Sequence, residues 1–364
     1  MTQTQQSTEQ AFSPIRVGAW DLPQRFVMAP LTRNRSPETV PTELNAEYYG
    51  QRAGAGLIIS EGTQPSAVGQ GYLATPGLHT DEQQAGWART AAAVHAGGGR
   101  LVVQLMHVGR VAHPDNKAGL ETVAPSAIAA PGQMVTAQGQ VDHPEPRPLG
   151  TDEIEGVVAE FVDAARRAVA AGVDGVEVHS ANGYLLHQFL SPVSNTRTDA
   201  YGGSAAARAR LTVEVTRAVA EAIGADKVGI RISPAHNIQG VLEEDPAETR
   251  ATYEALVDGI ADLGLAYLSV LADPRAELTQ DLRRRFGGTT ILNTGFAEQT
   301  TYDDVATLLD EDFADLVAVG RPFLANPDLA QRWRTGAALN EPDPATFYGG
   351  GAEGYTDYPT LPDA

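Results

Sequence analysis

The chain has 364 residues, 42% of them hydrophobic, no cysteine and a formal net charge of −20. That charge repels phosphate backbones and anionic lipid surfaces. The missing cysteines exclude disulfides, thiolate metal sites, iron–sulfur clusters and a cysteine nucleophile, and no apolar run approaches the roughly 20 residues of a membrane span.

Residues 1–13 are rich in Gln and Thr and lack the charged, apolar and cleavable succession of a signal peptide, so they read as a disordered leader. A cytoplasmic location is expected. Residues 14–364 carry no linker and no short-period repeat and read as a single domain. Lys117 and Lys227 are the only lysines, a bias that salt adaptation and a GC-rich genome both produce.

The turn signals Gly18 and 21–23 (DLP) predict a small hairpin over 15–25 that crosses one end of the fold. Short aliphatic runs then predict strands at 25–28, 56–60, 100–105, 175–179, 228–232, 267–271, 290–294 and 316–319. Most are apolar throughout, as strands covered on both faces must be, which argues for parallel pairing through crossover helices. Between them, Ile154, Val158, Phe161, Val162, Ala165 and Val169 keep helical spacing over 151–171, with Thr151 or Asp152 as N-cap. Leu211, Val215, Val219 and Ile223 mark a second helix. Eight strands alternating with helices predict a closed (β/α)8 TIM barrel of the α/β class, since an open sheet of that size exposes two edges. The Pro-, Gly- and Ala-rich stretch 104–151 is too long for a plain connection and is expected to cap the C-terminal mouth.

In such a barrel the chemistry sits at the strand C-termini. The ends here are polar: Ala29-Pro30-Leu31-Thr32-Arg33, Ser60-Glu61-Gly62-Thr63, Gln104-Leu105-Met106-His107, then His179, Arg231, Gly295 and Gly320-Arg321. Each has a structural alternative: Thr32 as a helix cap, Gln104 as a backbone bridge, Arg231 paired with a core acid such as Glu177. Their coincidence at nearly every strand end favours one pocket. Gly295 and Gly320-Arg321 follow the last two strands, where barrels hold phosphate on backbone N–H groups. A phosphate there and a polar ring system touched by Thr32, Gln104 and Arg231 describe a bound flavin mononucleotide (FMN). After the fourth strand, His179-Ser180-Ala181-Asn182-Gly183-Tyr184 combines two donors for a carbonyl or nitro oxygen with a phenolic acid, the equipment for reducing an electron-poor double bond.

The segments 28–33 (MAPLTR), 104–110 (QLMHVGR), 124–127 (APSA), 179–203 (HSANGYLLHQFLSPVSNTRTDAYGG), 231–234 (RISP), 320–327 (GRPFLANP) and 347–359 (FYGGGAEGYTDYP) resemble the Old Yellow Enzyme family of FMN-dependent ene-reductases. The likeness is greatest to its bacterial branch of N-ethylmaleimide, pentaerythritol tetranitrate and morphinone reductases. It implies an NADPH- or NADH-dependent enzyme that passes hydride from flavin N5 to the alkene β-carbon. It further implies that Ala29, Pro30, Leu31, Thr32, Gly62, Gln104, Arg231, Gly295, Gly320 and Arg321 contact FMN, that His179 and Asn182 grip the activating oxygen, and that Tyr184 donates the proton. Tyr72 and Tyr348 resemble pocket-lining tyrosines, with core packing as the alternative. Met106 stands where relatives carry Trp, which implies a roomier wall. Three rival readings are a metallo-hydrolase using His107, His113, His179 and His187, a flavin-free binding protein on the same fold, and the larger reductases that carry an iron–sulfur cluster. The expected partners are small electron-poor alkenes and a nicotinamide, with no nucleic acid or membrane, in a monomer or homodimer.

Overall fold

The computed structural model describes residues 10–362. In chain order the strands are β1 (Ile15–Val17), β2 (Trp20–Leu22), β3 (Phe26–Met28), β4 (Leu57–Ile59), β5 (Arg100–Leu105), β6 (Val123–Ala124), β7 (Gln133–Thr136), β8 (Gly139–Asp142), β9 (Arg147–Pro148), β10 (Gly175–Ser180), β11 (Val228–Ile232), β12 (Tyr267–Leu271), β13 (Thr290–Asn293) and β14 (Leu316–Val319). β3, β4, β5 and β10 to β14 close into one barrel, every pair parallel. All eight runs read from the sequence are barrel strands, shifted by a residue at some ends.

Side-chain alternation sorts the barrel into two cores. Ile58, Leu101, Val103, Val176, Val178, Ile230, Ile232, Leu268 and Val270 point outward into the layer shared with the helices. Val27, Leu57, Ile59, Val102, Ile291 and Leu316 point inward and fill the lower barrel. The β1–β2 hairpin seals that lower end: Trp20 packs into the interior cluster, and a Cβ at Gly175 would lie 2.6 Å from its ring.

Two details differ from the sequence reading. The helix expected over 151–171 begins as a 3-10 turn at Thr151–Glu153 and becomes α-helical only over Ile154–Ala170, with Gly172 at φ +80° just beyond. The N-cap positions are Gly150 for the 3-10 turn and Glu153 for the α-helix, not Thr151 or Asp152, and the Glu153 carboxylate reaches back to accept from the Gly150 amide at 2.6 Å. Of the expected leader, residues 1–9 lie outside the described residues, while 10–13 are folded. Ala11 is buried, Phe12 packs edge-on to Phe26 at 5.3 Å, and Gln10 donates to the Leu309 carbonyl. The insertion after β5 contributes β6, paired with β9, and the antiparallel hairpin β7–β8. No helix among the described residues is long and apolar enough to cross a membrane.

Candidate active site at the barrel mouth

The inward positions change character toward the strand C-termini. Register puts Glu177 opposite Gln104 on β5 and Gly229 on β11, and His179 opposite Arg231, which faces Ser269 on β12. The interior that is aliphatic below is therefore polar here, with Gln104, Glu177, His179, Arg231 and Ser269 all buried. Gln104 Nε2 donates to Glu177 at 2.7 Å. Burial pushes the Glu177 carboxyl up, and the neighbouring Arg231 opposes that shift. Gly229 has no side chain because the Tyr267 ring occupies the space, 2.2 Å from where a Cβ would stand.

Several atoms in this layer are buried without a protein partner: Arg231 Nε and Nη1, His179 Nδ1, Asn182 Oδ1 and Ser269 Oγ. Buried polar groups are almost always paired. Five orphans in one layer mark a place where ligand atoms complete the hydrogen bonds. Burial, with the charge of Arg231 beside it, holds the His179 imidazole well below its ordinary pKa, so it is neutral and can donate without carrying charge.

The turn after β10 bends back through Asn182 at φ +56° and Gly183 at φ +82°. This left-handed pair is held from several sides. Asn182 N donates to Ser233 Oγ at 2.9 Å, Gln239 Nε2 to the Asn182 carbonyl at 2.9 Å, Gly183 N to His187 Nδ1 at 3.0 Å, and Gln188 Nε2 to the Gly183 carbonyl at 2.8 Å. The turn delivers Tyr184 beside His179, ring edge to face at 5.2 Å, with its hydroxyl 2.7 Å from that of Tyr72. Burial raises the Tyr184 pKa, so the phenol stays protonated at neutral pH. Because its Nδ1 accepts from an amide, His187 presents its Nε2–H to Glu243 Oε1 at 3.2 Å. Tyr253 OH also donates to Glu243, and Glu243 Oε2 accepts from Ala235 N at 2.8 Å.

The remaining residues form the floor and rim. Ala29 belongs to the interior cluster and its amide donates to Val319 O; Pro30, Leu31 and Thr32 are partly buried beyond it. The Glu61 carboxylate accepts from both Arg33 N and Asn34 N at 3.0 Å, tying the loop after β3 to that after β4. Gly62 faces Met106, whose Sδ and Cε lie 2.4 Å from the place of a Cβ. At the β13 and β14 ends, Gly295 has φ +107° and open space around it, Gly320 approaches Leu31, and Arg321 Nη2 donates to Phe296 O at 3.1 Å. Tyr348 is 69% exposed, so it is not a core residue. It stands near both phenols on a segment that Arg33 anchors through the Phe347 and Gly354 carbonyls.

The histidines of the metal reading are not brought together as a ligand set. His107 Nδ1 accepts from Gly109 N, with its pKa depressed to about 3 by burial, and His187 is engaged as described. Among the described residues no three His, Asp or Glu groups could hold a metal ion. Sequence reasoning missed Ser233, Gln239, Glu243 and Tyr253. Ser233 lies inside the RISP motif; the others carry no local signal.

The sequence profile of the NADH:flavin oxidoreductase / NADH oxidase family matches residues 10–340. Flavin oxidoreductase hxnT of Emericella nidulans is 39% identical over 96% of this chain and 97% of its own. The probable flavin mononucleotide-dependent alkene reductase of Leishmania infantum is 39% identical over 99% of this chain and 100% of its own. A solved structure of morphinone reductase in complex with tetrahydroNAD superposes with a TM-score of 0.91 at 47% identity, covering 96% of this chain and 97% of that one.

Proposed function

Because the chain belongs to the NADH:flavin oxidoreductase / NADH oxidase family, we propose that it reduces the C=C bond of activated alkenes such as enones, maleimides and nitroalkenes, with FMN as cofactor and NADH or NADPH as reductant. The residues fit that cofactor. Arg231 offers two buried, unpartnered N–H donors beside the Gln104–Glu177 pair, matching the electron-rich edge of a flavin ring. Bound FMN supplies the hydride for the alkene β-carbon.

The chain's own residues divide the remaining work. Thr32, Gln104 and Arg231 hold the ring, Ala29, Pro30, Leu31 and Gly62 line it, and Gly295, Gly320 and Arg321 hold the phosphate. With FMN bound, Arg231 would supply a positive charge and two N–H donors beside the ring. Neutral His179 and the Asn182 carboxamide hydrogen-bond the activating oxygen of the alkene. Since both are fixed before the reaction, they act on the charge that grows there without reorganising. Tyr184 then donates its proton to the α-carbon, a task suited to an acid that remains un-ionised at neutral pH. Tyr72, Met106 and Tyr348 bound the substrate space.

The observation that carries this reading is the convergence of the Tyr184 phenol, the His179 ring and the unpartnered atoms of His179, Asn182 and Arg231 on one strand-end layer. A flavin-free scaffold has no use for a phenolic proton donor over a buried arginine with unpartnered N–H groups. The same proposal takes 14–364, together with the packed residues 10–13, as one FMN-binding domain, a cytoplasmic location, a monomeric or homodimeric state, and no nucleic-acid or membrane partner, in keeping with the charge of −20. Its test is spectroscopic. The purified protein should be yellow, bleach anaerobically with NADH or NADPH, and recover its colour with 2-cyclohexenone. A colourless protein, or a bleached one that the enone leaves unchanged, overturns it.

A further inference from the structure

Beside the phenol pair, under the β7–β8 hairpin, lies a cavity of about 470 Å³ lined by Tyr72, Val111, Met134, Val135, His143 and Gln239 among others. Its connection to the reacting groups is direct. The Tyr72 hydroxyl is 2.7 Å from that of Tyr184, and Gln239 Nε2 donates to the Asn182 carbonyl at 2.9 Å. Met106, Val111, Met134 and Tyr184 belong to one buried apolar cluster, distinct from both barrel cores, with Tyr72 packed against it. The proton donor and two residues of the chamber wall, Val111 and Met134, therefore pack in one apolar cluster.

Size and chemistry restrict the occupant. Cavities of roughly 300–1,000 Å³ take ligands of drug size, more than one small cyclic enone needs. No Lys or Arg lines the chamber. The nearby Arg110 guanidinium is engaged by the carbonyls of Ile128, Gln239 and Gly240 at 3.1, 3.3 and 2.8 Å. In a chain of charge −20 a diphosphate would find no compensating cation there, whereas an apolar group matches Val111, Met134 and Val135. The phenol that reaches the α-carbon is the one bonded to the chamber wall, so the chamber opens on the α-carbon side of the alkene.

We infer that this chamber holds an apolar substituent carried at or beside the α-carbon, and that the preferred substrates are enones or enals with a long alkyl tail there. The inference rests on the ene-reductase reading and narrows it.

The test uses the FMN-loaded enzyme and 2-cyclohexenones whose 2-alkyl group lengthens from methyl to hexyl. With the tail buried, kcat/KM rises about two- to fourfold per methylene, the upper figure for complete burial. Val111→Phe and, independently, Met134→Phe fill the chamber and bring the hexyl-to-methyl ratio close to one. Binding of the saturated 2-alkylcyclohexanones to oxidised enzyme, followed by the flavin absorbance, reads the same dependence without turnover. A flat or falling series in both measurements overturns the inference even when 2-cyclohexenone itself is reduced. It is equally overturned when Val111→Phe leaves the alkyl dependence intact and raises the KM of NADH or NADPH more than tenfold, which assigns the chamber to the coenzyme. Failure to reduce 2-cyclohexenone refutes the parent reading alone, and the binding series still decides the chamber.

Discussion

Replacing Glu243 by Gln tests whether the two loops that frame the site are fixed by one buried carboxylate. Glu243 is 7% exposed and accepts from His187 Nε2, Tyr253 OH and Ala235 N. Through His187 it reaches the Gly183 amide, and so the turn bearing Asn182 and Tyr184. Gln retains one acceptor for His187 and Tyr253 but turns its amide group against the Ala235 N–H, donor facing donor. Hydrogen bonds to a charged group contribute about 1.5–3 kcal/mol, and the neutral amide is less costly to bury than a carboxylate. We expect a net loss of about 2 kcal/mol at pH 7, a fall in Tm of roughly 2–3 °C for a chain of this length. The acid limb supplies a second check. Despite its burial, the hydrogen bonds and the His187 ring hold the Glu243 pKa below its usual 4.5. Its stabilisation is therefore complete above the unfolded value and is lost as pH falls through the lower folded one. The gap between wild type and variant should close below about pH 4.5. A displacement of about 1 Å at a reacting group can cost about 10²-fold, so kcat/KM for 2-cyclohexenone should fall ten- to a hundredfold while FMN content is unchanged. Thermal melts at pH 7 and pH 4 with steady-state kinetics decide the matter. A variant within about 0.5 kcal/mol of wild type that turns over normally would show that each loop holds itself.

Tyr184→Phe removes the proposed acid and should slow flavin reoxidation by alkene about 10²–10⁴-fold while reduction by NADH or NADPH changes less than about threefold; equal reoxidation rates in stopped flow would assign the proton to another donor. Arg231→Met removes the cation whose charge opposes the upward shift of the buried Glu177 carboxyl, and leaving a buried charge uncompensated costs about 3–5 kcal/mol. Adding Glu177→Gln should recover at least half of that, and strictly additive urea midpoints would refute the coupling. Gly62→Ala forces the Met106 tip, 2.4 Å from the new Cβ, into the substrate space. The alkene KM should rise several-fold and return with Met106→Ala, and an unchanged KM in the single variant would mean that Met106 yields away from the site.

What the sequence reveals and what it conceals divides by range. Each barrel strand is a local apolar run, and each candidate at its C-terminal end adjoins that run, so Gln104, His179 and Arg231 can be assigned from their own neighbourhoods. Strand limits shift by a residue because pairing, not propensity, ends a strand. The 3-10 start at Thr151–Glu153 escapes a pattern reading because Glu153 bonds Arg147 as well as Gly150. The loop that carries Gln239 and Glu243 has no period to read. Glu243 meets His187 across 56 residues and Gln239 meets Asn182 across 57, contacts that exist only once β10 and β11 are adjacent. The exposure of Tyr348 was equally hidden, since an aromatic side chain carries no mark of which way its loop turns.

The barrel interior itself explains why a site stands at one end only. Inward positions at the lower end are mostly aliphatic, Val27, Leu57, Ile59, Val102, Ile291 and Leu316, and close on Trp20. Toward the C-terminal ends of β5, β10, β11 and β12 the inward residues are Gln104, Glu177, His179, Arg231 and Ser269, a layer in which burial works against the charge on both Glu177 and Arg231. Buried ion pairs are weak contributors to stability, and a well-packed apolar set of similar volume commonly does as well or better. A chain selected for stability alone would extend the aliphatic filling upward. It stops where the unpartnered donors begin, so that layer is under-satisfied in the free protein and completed by what binds. The departure from local optimality thus falls where function is expected to impose it.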